Sequence, residues 1–368
     1  MRKNLIFMAL LGWAAMAGAQ EAPADSVVAP AADTLTGTML TDTVIIPIAA
    51  QESYNRGIAA YQAGDPKLAI HHFDTAIAIE PRFMQPYRNR AMVNFELGNH
   101  LVAILDFGFL IRQDSAGQKA RYHYLRGRSK YATGNAAAAL RDYEHAIALD
   151  DRVADYHYHR GVIQFEQTRY AEAILDFDNA IFLDRQYAYA YNDRGSAKRL
   201  TGDEAGALRD YEQAVKHDTT LAIAFNNLGS MLKRKGDLKA AVEAFDRAIA
   251  LQDDYHIALN NRGHAKFELE AYASAVADFD AALALQPEYA FAYNNRAAAR
   301  YKLYDYQGSI ADADKAIALQ PDYGFAYLNR GISKEMIRDQ EGACIDWQKA
   351  AELGVQNANV YVRDTCND

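Results

Sequence analysis

The residues of this chain best equipped for chemistry are ten histidines and two cysteines, and their spacing assembles no reaction centre. His71-His72 and His157-Tyr158-His159 are the densest groups, yet no two histidines stand four apart, the spacing that sets two metal ligands on one helix face. There is no Gly-rich phosphate loop and no Ser elbow, and Cys344 and Cys366 lack metal-type spacing. What does recur is hydrogen-bonding and ion-pairing chemistry: asparagines, arginines and aspartates return at fixed intervals through most of the chain. That chemistry suits holding a partner or a neighbouring helix. No enzyme is expected, and no metal or cofactor.

The elements that position these residues repeat every 34 residues, from starts at Ala50, Met84, Ala120, Ala154, Ala188, Ala222, His256, Ala290 and Gly324. Only the second interval is longer, by two residues in the turn Ser115-Ala116-Gly117-Gln118-Lys119. Counting from each start, position 8 is Gly or Ala throughout (Gly57, Ala91, Gly127, Gly161, Gly195, Gly229, Gly263, Ala297, Gly331). Position 20 is likewise small, from Ala69 to Ala343, whereas position 24 is mostly a large ring, from Phe73 to Trp347. Gly within a helix costs ~1 kcal/mol relative to Ala, so its recurrence implies close approach of a helix A to a helix B. Glycines near position 15 (Gly64, Gly98, Gly134, Gly202, Gly236) mark the turn between them, and Pro81, Pro287 and Pro321 stop helix B.

Comparison between repeats exposes a charge pair. Position 7 is Arg in eight units (Arg56, Arg90, Arg126, Arg160, Arg194, Arg262, Arg296, Arg330), and position 23 is Asp in seven (Asp106, Asp142, Asp176, Asp210, Asp278, Asp312, Asp346). The sixth unit has Leu228, Leu232 and Ala244 at positions 7, 11 and 23, losing its charges together. This predicts an Arg–Asp pair between helices A and B of one unit, joined from position 11 by Lys130, Lys198, Lys266, Arg300 or Lys334. The pair is read as structural.

The small–small–large–turn pattern over residues 50–357 resembles the tetratricopeptide repeat (TPR) family. That resemblance implies an all-α, right-handed α-solenoid of nine helix-turn-helix units, and residues 358–368 are expected to form a C-terminal cap. Arg at position 7 departs from the family, where the position is normally apolar. The resemblance also implies a ligand groove lined by helix A at positions 2, 5, 6, 9, 12 and 13. Position 6 then supplies Asn55, Asn89, Asn227, Asn261, Asn295 and Asn329, and position 5 supplies Asn192, Asn226, Asn260 and Asn294. A carboxamide offers both donor and acceptor, so such a row could grip the backbone of an extended peptide whatever its sequence. The alternative is a solvated row that is simply common in the family. Tyr54, Tyr61, Met92, Phe95, Tyr124, Tyr131, Tyr158 and Phe165 fall at groove positions of the early units, as anchors for apolar residues or as packing between A helices. Arg199, Lys233 and Arg234 form a local basic patch, for an acidic segment or for solvent. No unit has the Lys at position 5 with Asn at position 9 of a two-carboxylate clamp.

The first 19 residues read as a signal peptide: Arg2 and Lys3, the apolar run Leu5 to Ala17, then Ala17-Gly18-Ala19 before Gln20. The run is too short to span a ~30 Å hydrocarbon core, so no transmembrane segment is expected. Residues 20–49, rich in Ala, Pro, Thr and Asp, read as a flexible linker, with Val44-Ile45-Ile46 placed to pack on the first helix or to remain free. Export is expected, to the periplasm or beyond the cell. Cys344 and Cys366 are then candidates for a disulfide, the alternative being two free thiols. The formal charge of −9 becomes −11 without Arg2 and Lys3, which argues against nucleic acid as partner. A protein or peptide is the expected partner. The chain would act as an envelope interaction scaffold, or as a structural subunit of an envelope or secretion assembly using its convex face or ends.

Overall fold

A computed structural model describes residues 46–113 and 117–366; the expected signal peptide and nearly all of the linker lie outside the described residues. Every regular element among the described residues is an α-helix, nineteen in all. They fall into two compact bodies, divided between Gly202 and Asp203. The first holds α1 (Ile48–Gln62), α2 (Pro66–Ile79), α3 (Met84–Glu96), α4 (His100–Gln113), α5 (Lys119–Ala132), α6 (Ala136–Leu149), α7 (Ala154–Glu166), α8 (Tyr170–Leu183) and α9 (Ala188–Leu200). The second opens with α10 (Glu204–His217), α11 (Ala222–Lys235), α12 (Leu238–Leu251), α13 (His256–Glu268) and α14 (Tyr272–Leu285). It continues with α15 (Ala290–Lys302), α16 (Tyr306–Leu319), α17 (Gly324–Met336), α18 (Gln340–Glu352) and α19 (Ala358–Thr365). Odd-numbered helices up to α17 are the A helices and even-numbered ones the B helices; within each body, consecutive helices pack side by side. Helix α1 starts two residues before the expected start of the first unit, after Pro47, and Ile46 packs on the Ala50–Tyr54–Phe73–Phe83 cluster.

The recurring Gly at position 8 has a specific cause. A Cβ on Gly57 would lie 2.5 Å from the Phe73 ring, and one on Gly229 or Gly263 would lie 2.7 Å from Phe245 or Phe279. The position-24 ring therefore occupies the volume of a missing side chain in its own unit, and these rings are fully buried. The turns share one geometry too. Position 15 is left-handed in every unit, and where position 16 is Asp65, Asn135, Asp203, Asp237, Asp305 or Asp339, its side chain accepts a backbone N–H of the following helix.

The Arg–Asp pair is present and bidentate. Arg90 Nε and Nη2 donate to Asp106 at 2.8 and 2.6 Å, and Arg126, Arg160, Arg262, Arg296 and Arg330 clamp Asp142, Asp176, Asp278, Asp312 and Asp346 in the same way. From position 11, Lys130, Lys266, Arg300 and Lys334 reach the same carboxylates. A second acceptor comes from the preceding unit: Nη1 of Arg90, Arg194, Arg262, Arg296 and Arg330 bonds position 25, at Asp74, Asp178, Asp246, Asp280 and Asp314. The guanidinium thus ties three helices, fixing the pairing within a unit and the stacking of one unit on the last. Arg56, in the first unit, is exposed, and among the described residues it pairs with Glu52.

Past α18 the chain turns at Gly354 and caps the last unit. Trp347 stacks on Tyr361 at 4.9 Å, Val355 and Ala358 are buried, and Cys344 is bonded to Cys366 across 22 residues.

Candidate functional site

The A helices carry most of the residues singled out for binding, and the structure divides them into two layers. At position 5, Asn192, Asn226, Asn260 and Asn294 are all buried, so they do not present the open row that the groove positions implied. Asn226, Asn260 and Asn294 face the next A helix instead. In the second body Asn261 Nδ2 donates to Asn226 Oδ1 (3.0 Å), Asn295 Nδ2 to Asn260 Oδ1 (3.0 Å), and Asn329 Nδ2 to Asn294 Oδ1 (2.9 Å). Asn294 in turn donates to the Tyr323 hydroxyl. Position 5 of one unit therefore supports position 6 of the next. Asn261 is buried as well, whereas Asn227, Asn295 and Asn329 are partly exposed. A carboxamide with one N–H held by a buried partner is fixed in rotamer, its oxygen turned away from that bond.

The first body uses the same two positions with other chemistry. Asn89 donates to the Tyr54 hydroxyl (3.2 Å), the Tyr158 hydroxyl donates to Asp193 Oδ2 (2.9 Å), and Tyr124 meets the His159 ring at 5.5 Å. Asn192 Nδ2 donates to Asp193 Oδ1 at 2.9 Å, while Asn55 is exposed and accepts from Gln51. At positions 12 and 13 the Tyr61 hydroxyl donates to Glu96 (2.7 Å) and that of Tyr131 to Glu166. Burial and the Glu96 carboxylate push the Tyr61 phenol up to about 12, and burial with Glu166 raises that of Tyr131, so both hydroxyls remain donors. Of the aromatic anchors, Tyr54, Tyr124 and Tyr158 are buried between helices; Tyr61, Met92, Phe95, Tyr131 and Phe165 keep partial exposure. Arg128 lies over the Phe95 ring at 5.0 Å.

The basic patch does not stand as a group of free cations. Arg199 belongs to the first body, Lys233 and Arg234 to the second. Arg234 is bonded to Glu204. Lys233 Nζ lies 3.1 Å from His264 Nδ1, which is also 2.9 Å from Glu268 Oε1. Burial lowers the Lys233 ammonium and the His264 imidazole, and His264 pulls Glu268 down against the effect of its burial. Asp193, His159, His264 and Glu268 were missed as site residues. Reading position 6 across all units would have found the first two, since they stand where most units have Asn. Among the described residues no helix is long and apolar enough to cross a membrane, and no group of three or more His, Cys, Asp or Glu could hold a metal.

Paired helices of 13 to 15 residues, a ring seated on Gly and an Arg tying consecutive units define an α-solenoid repeat protein. The chain belongs to the tetratricopeptide repeat family: family models match residues 54–115, 124–193, 192–256 and 257–289. The chain is similar in fold to a tetratricopeptide repeat protein from Parabacteroides merdae (18% identity over 68% of this chain and 100% of that one, TM-score 0.52). It is similar also to the APC/C hetero-tetramer Cut9–Hcn1 (15% identity, 86% and 67% covered, TM-score 0.55). A looser likeness is to YrrB, described as a TPR protein with an unusual peptide-binding site (22% identity, 50% and 95% covered, TM-score 0.44). No curated protein matches the chain. Proteins of this family are in general interaction scaffolds that bind proteins or peptides.

Proposed function

We propose that the protein is an exported scaffold of the cell envelope, holding an extended segment of a partner protein against the A-helix face of its bodies. The observation that carries this is the two-layer arrangement at positions 5 and 6: buried asparagines fix the partly exposed amides of Asn295 and Asn329 from behind. Fixed amides lose little entropy on gripping a peptide backbone. The Cys344–Cys366 disulfide and the leader-like residues 1–19 support an oxidising compartment outside the cytosol, the periplasm or beyond. A photo-crosslinking side chain placed at Met92 in the first body or at Ser230 in the second, both at position 9, should capture an extended segment of a partner.

A second reading, a structural subunit of an envelope or secretion assembly, is favoured by apolar exposure on the B helices: Leu101 and Leu105 are 71% and 72% exposed, Phe182 70%. Crosslinks arising only from Leu105 or Ile345, and none from the A helices, would replace the first reading by the second.

A further inference from the structure

Six buried aspartates of this fold are each clamped by a bidentate arginine; Asp193 is held differently. Its carboxylate takes one hydrogen bond on each oxygen, from the Tyr158 hydroxyl and from Asn192 Nδ2, and both donors are neutral. It sits at position 6 of α9, on the A-helix face of the first body, and is partly exposed. The titratable neighbour on the preceding A helix, His159, supplies no charge, because burial and the Arg128 guanidinium hold it down at about 3. Asp155 stands on the same side. It accepts from the Tyr187 hydroxyl at 2.6 Å, and the Tyr187 ring lies 4.8 Å from that of Tyr158. Two hydroxyls from adjoining rings thus orient two carboxylates.

We infer that Asp193 is a recognition point for a cationic side chain, Lys or Arg, in the segment held by the first body. The inference rests on the groove reading above. Each carboxylate oxygen keeps a lone pair after its neutral bond, and an ammonium or guanidinium would add the charge-assisted bonds that the six clamped aspartates already have. A metal is a poorer fit, since among the described residues no third ligand of the required kind is grouped with the two. The arrangement selects one charge at one register of an otherwise sequence-tolerant site, so it bears on specificity.

The test is selection of a random nonapeptide phage library on the immobilised full chain, its Asp193→Asn variant, and Glu172→Gln on an outward helix as control. Asn keeps the size of Asp and accepts from Tyr158, and equal helicity of the three proteins is checked by circular dichroism. Wild type and control should enrich Lys or Arg at one register, and the variant should still select peptides without that enrichment. A synthetic peptide of the selected sequence should bind the variant at least about 10-fold more weakly. Peptides of the same composition from wild type and variant would overturn the inference and leave groove binding standing. No peptides selected by the wild type would overturn both.

Discussion

The two bodies share one frame and differ in how adjacent A helices are tied. In both, a position-24 ring fills the space over a position-8 Gly, and position 7 carries an Arg bonded to its own unit and the one before. Between A helices the second body repeats one bond, Asn to Asn, three times in succession. The first body has Tyr–Asn, Tyr–His and Tyr–Asp at the same two positions. What builds the solenoid is therefore held constant, and what lines the proposed groove is varied. The second body offers a regular row suited to a backbone, the first an irregular one with individual charges.

If the frame is truly shared, breaking it should cost the same in either body. Asp176→Ala in the first or Asp278→Ala in the second leaves a half-buried Arg without its bidentate partner. Each should destabilise by about 3–5 kcal/mol in urea melts of the full chain. The triple swap Arg262→Leu, Lys266→Leu, Asp278→Ala imitates the sixth unit and should recover more than half of that loss, because Asp246, left behind, is exposed. Equal losses for the single and triple variants would show that the pair is not the unit of stability.

How much of this was legible in the sequence follows from which contacts stay inside the period. Arg262 and Asp278 lie 16 residues apart within one unit, and the sixth unit loses both at once (Leu228 and Ala244), so comparison between repeats points to the partner. The bond from Arg262 back to Asp246 also spans 16 residues but crosses a unit boundary, so comparing like positions of successive units does not reveal it. Asn226 and Asn260 were placed in the groove by resemblance to the family; the structure buries them. Which side of an A helix meets its neighbour depends on the rotation between successive units, and packing sets that rotation, not the type of residue at position 5. The disulfide partners Cys344 and Cys366 were nameable because the chain has only two cysteines.

The difference between the bodies can be sharpened at Asp193, where Asp193→Asn puts an Asn at position 6, as in the second body. Burial raises the Asp193 carboxyl to about 6, against 3.8 for a free one. A folded value above the unfolded one means that protonation favours the fold: that contribution is complete below about 4 and is lost as pH rises through 6. At pH 7.5 the wild type therefore bears a half-buried carboxylate that the variant lacks, and Asp193→Asn should be the more stable by ~1–3 kcal/mol. The advantage should shrink to nothing by about pH 4. His159, held down at about 3, acts with the opposite sign over part of this window, since its unfolded form takes up protons first. It does so in both proteins, so the difference between their pH–stability curves isolates Asp193. A constant offset between the curves, independent of pH, would remove the uncompensated carboxylate from the account of the first body.

The smallest contrast lies in the turns. The first body places Gly at the left-handed position 15 in four of its five units (Gly64, Gly98, Gly134, Gly202), with Thr168 at φ 59° in the other. The second has Gly236 and then Glu270, Tyr304 and Arg338 at φ 64–66°. A side chain with a Cβ is disfavoured there, a β-branched one most of all. Thr168→Gly should stabilise the chain by roughly 0.5–1 kcal/mol and Glu270→Gly by somewhat less, since Gly also gains freedom when unfolded. Gly134→Thr should cost about as much as Thr168→Gly gains. Amide hydrogen exchange at the flanking residues would resolve changes of this size turn by turn. If Thr168→Gly instead destabilises, a side-chain interaction in that turn outweighs the backbone strain, and the four non-glycine turns would have to be counted with the varied surface rather than with the shared frame.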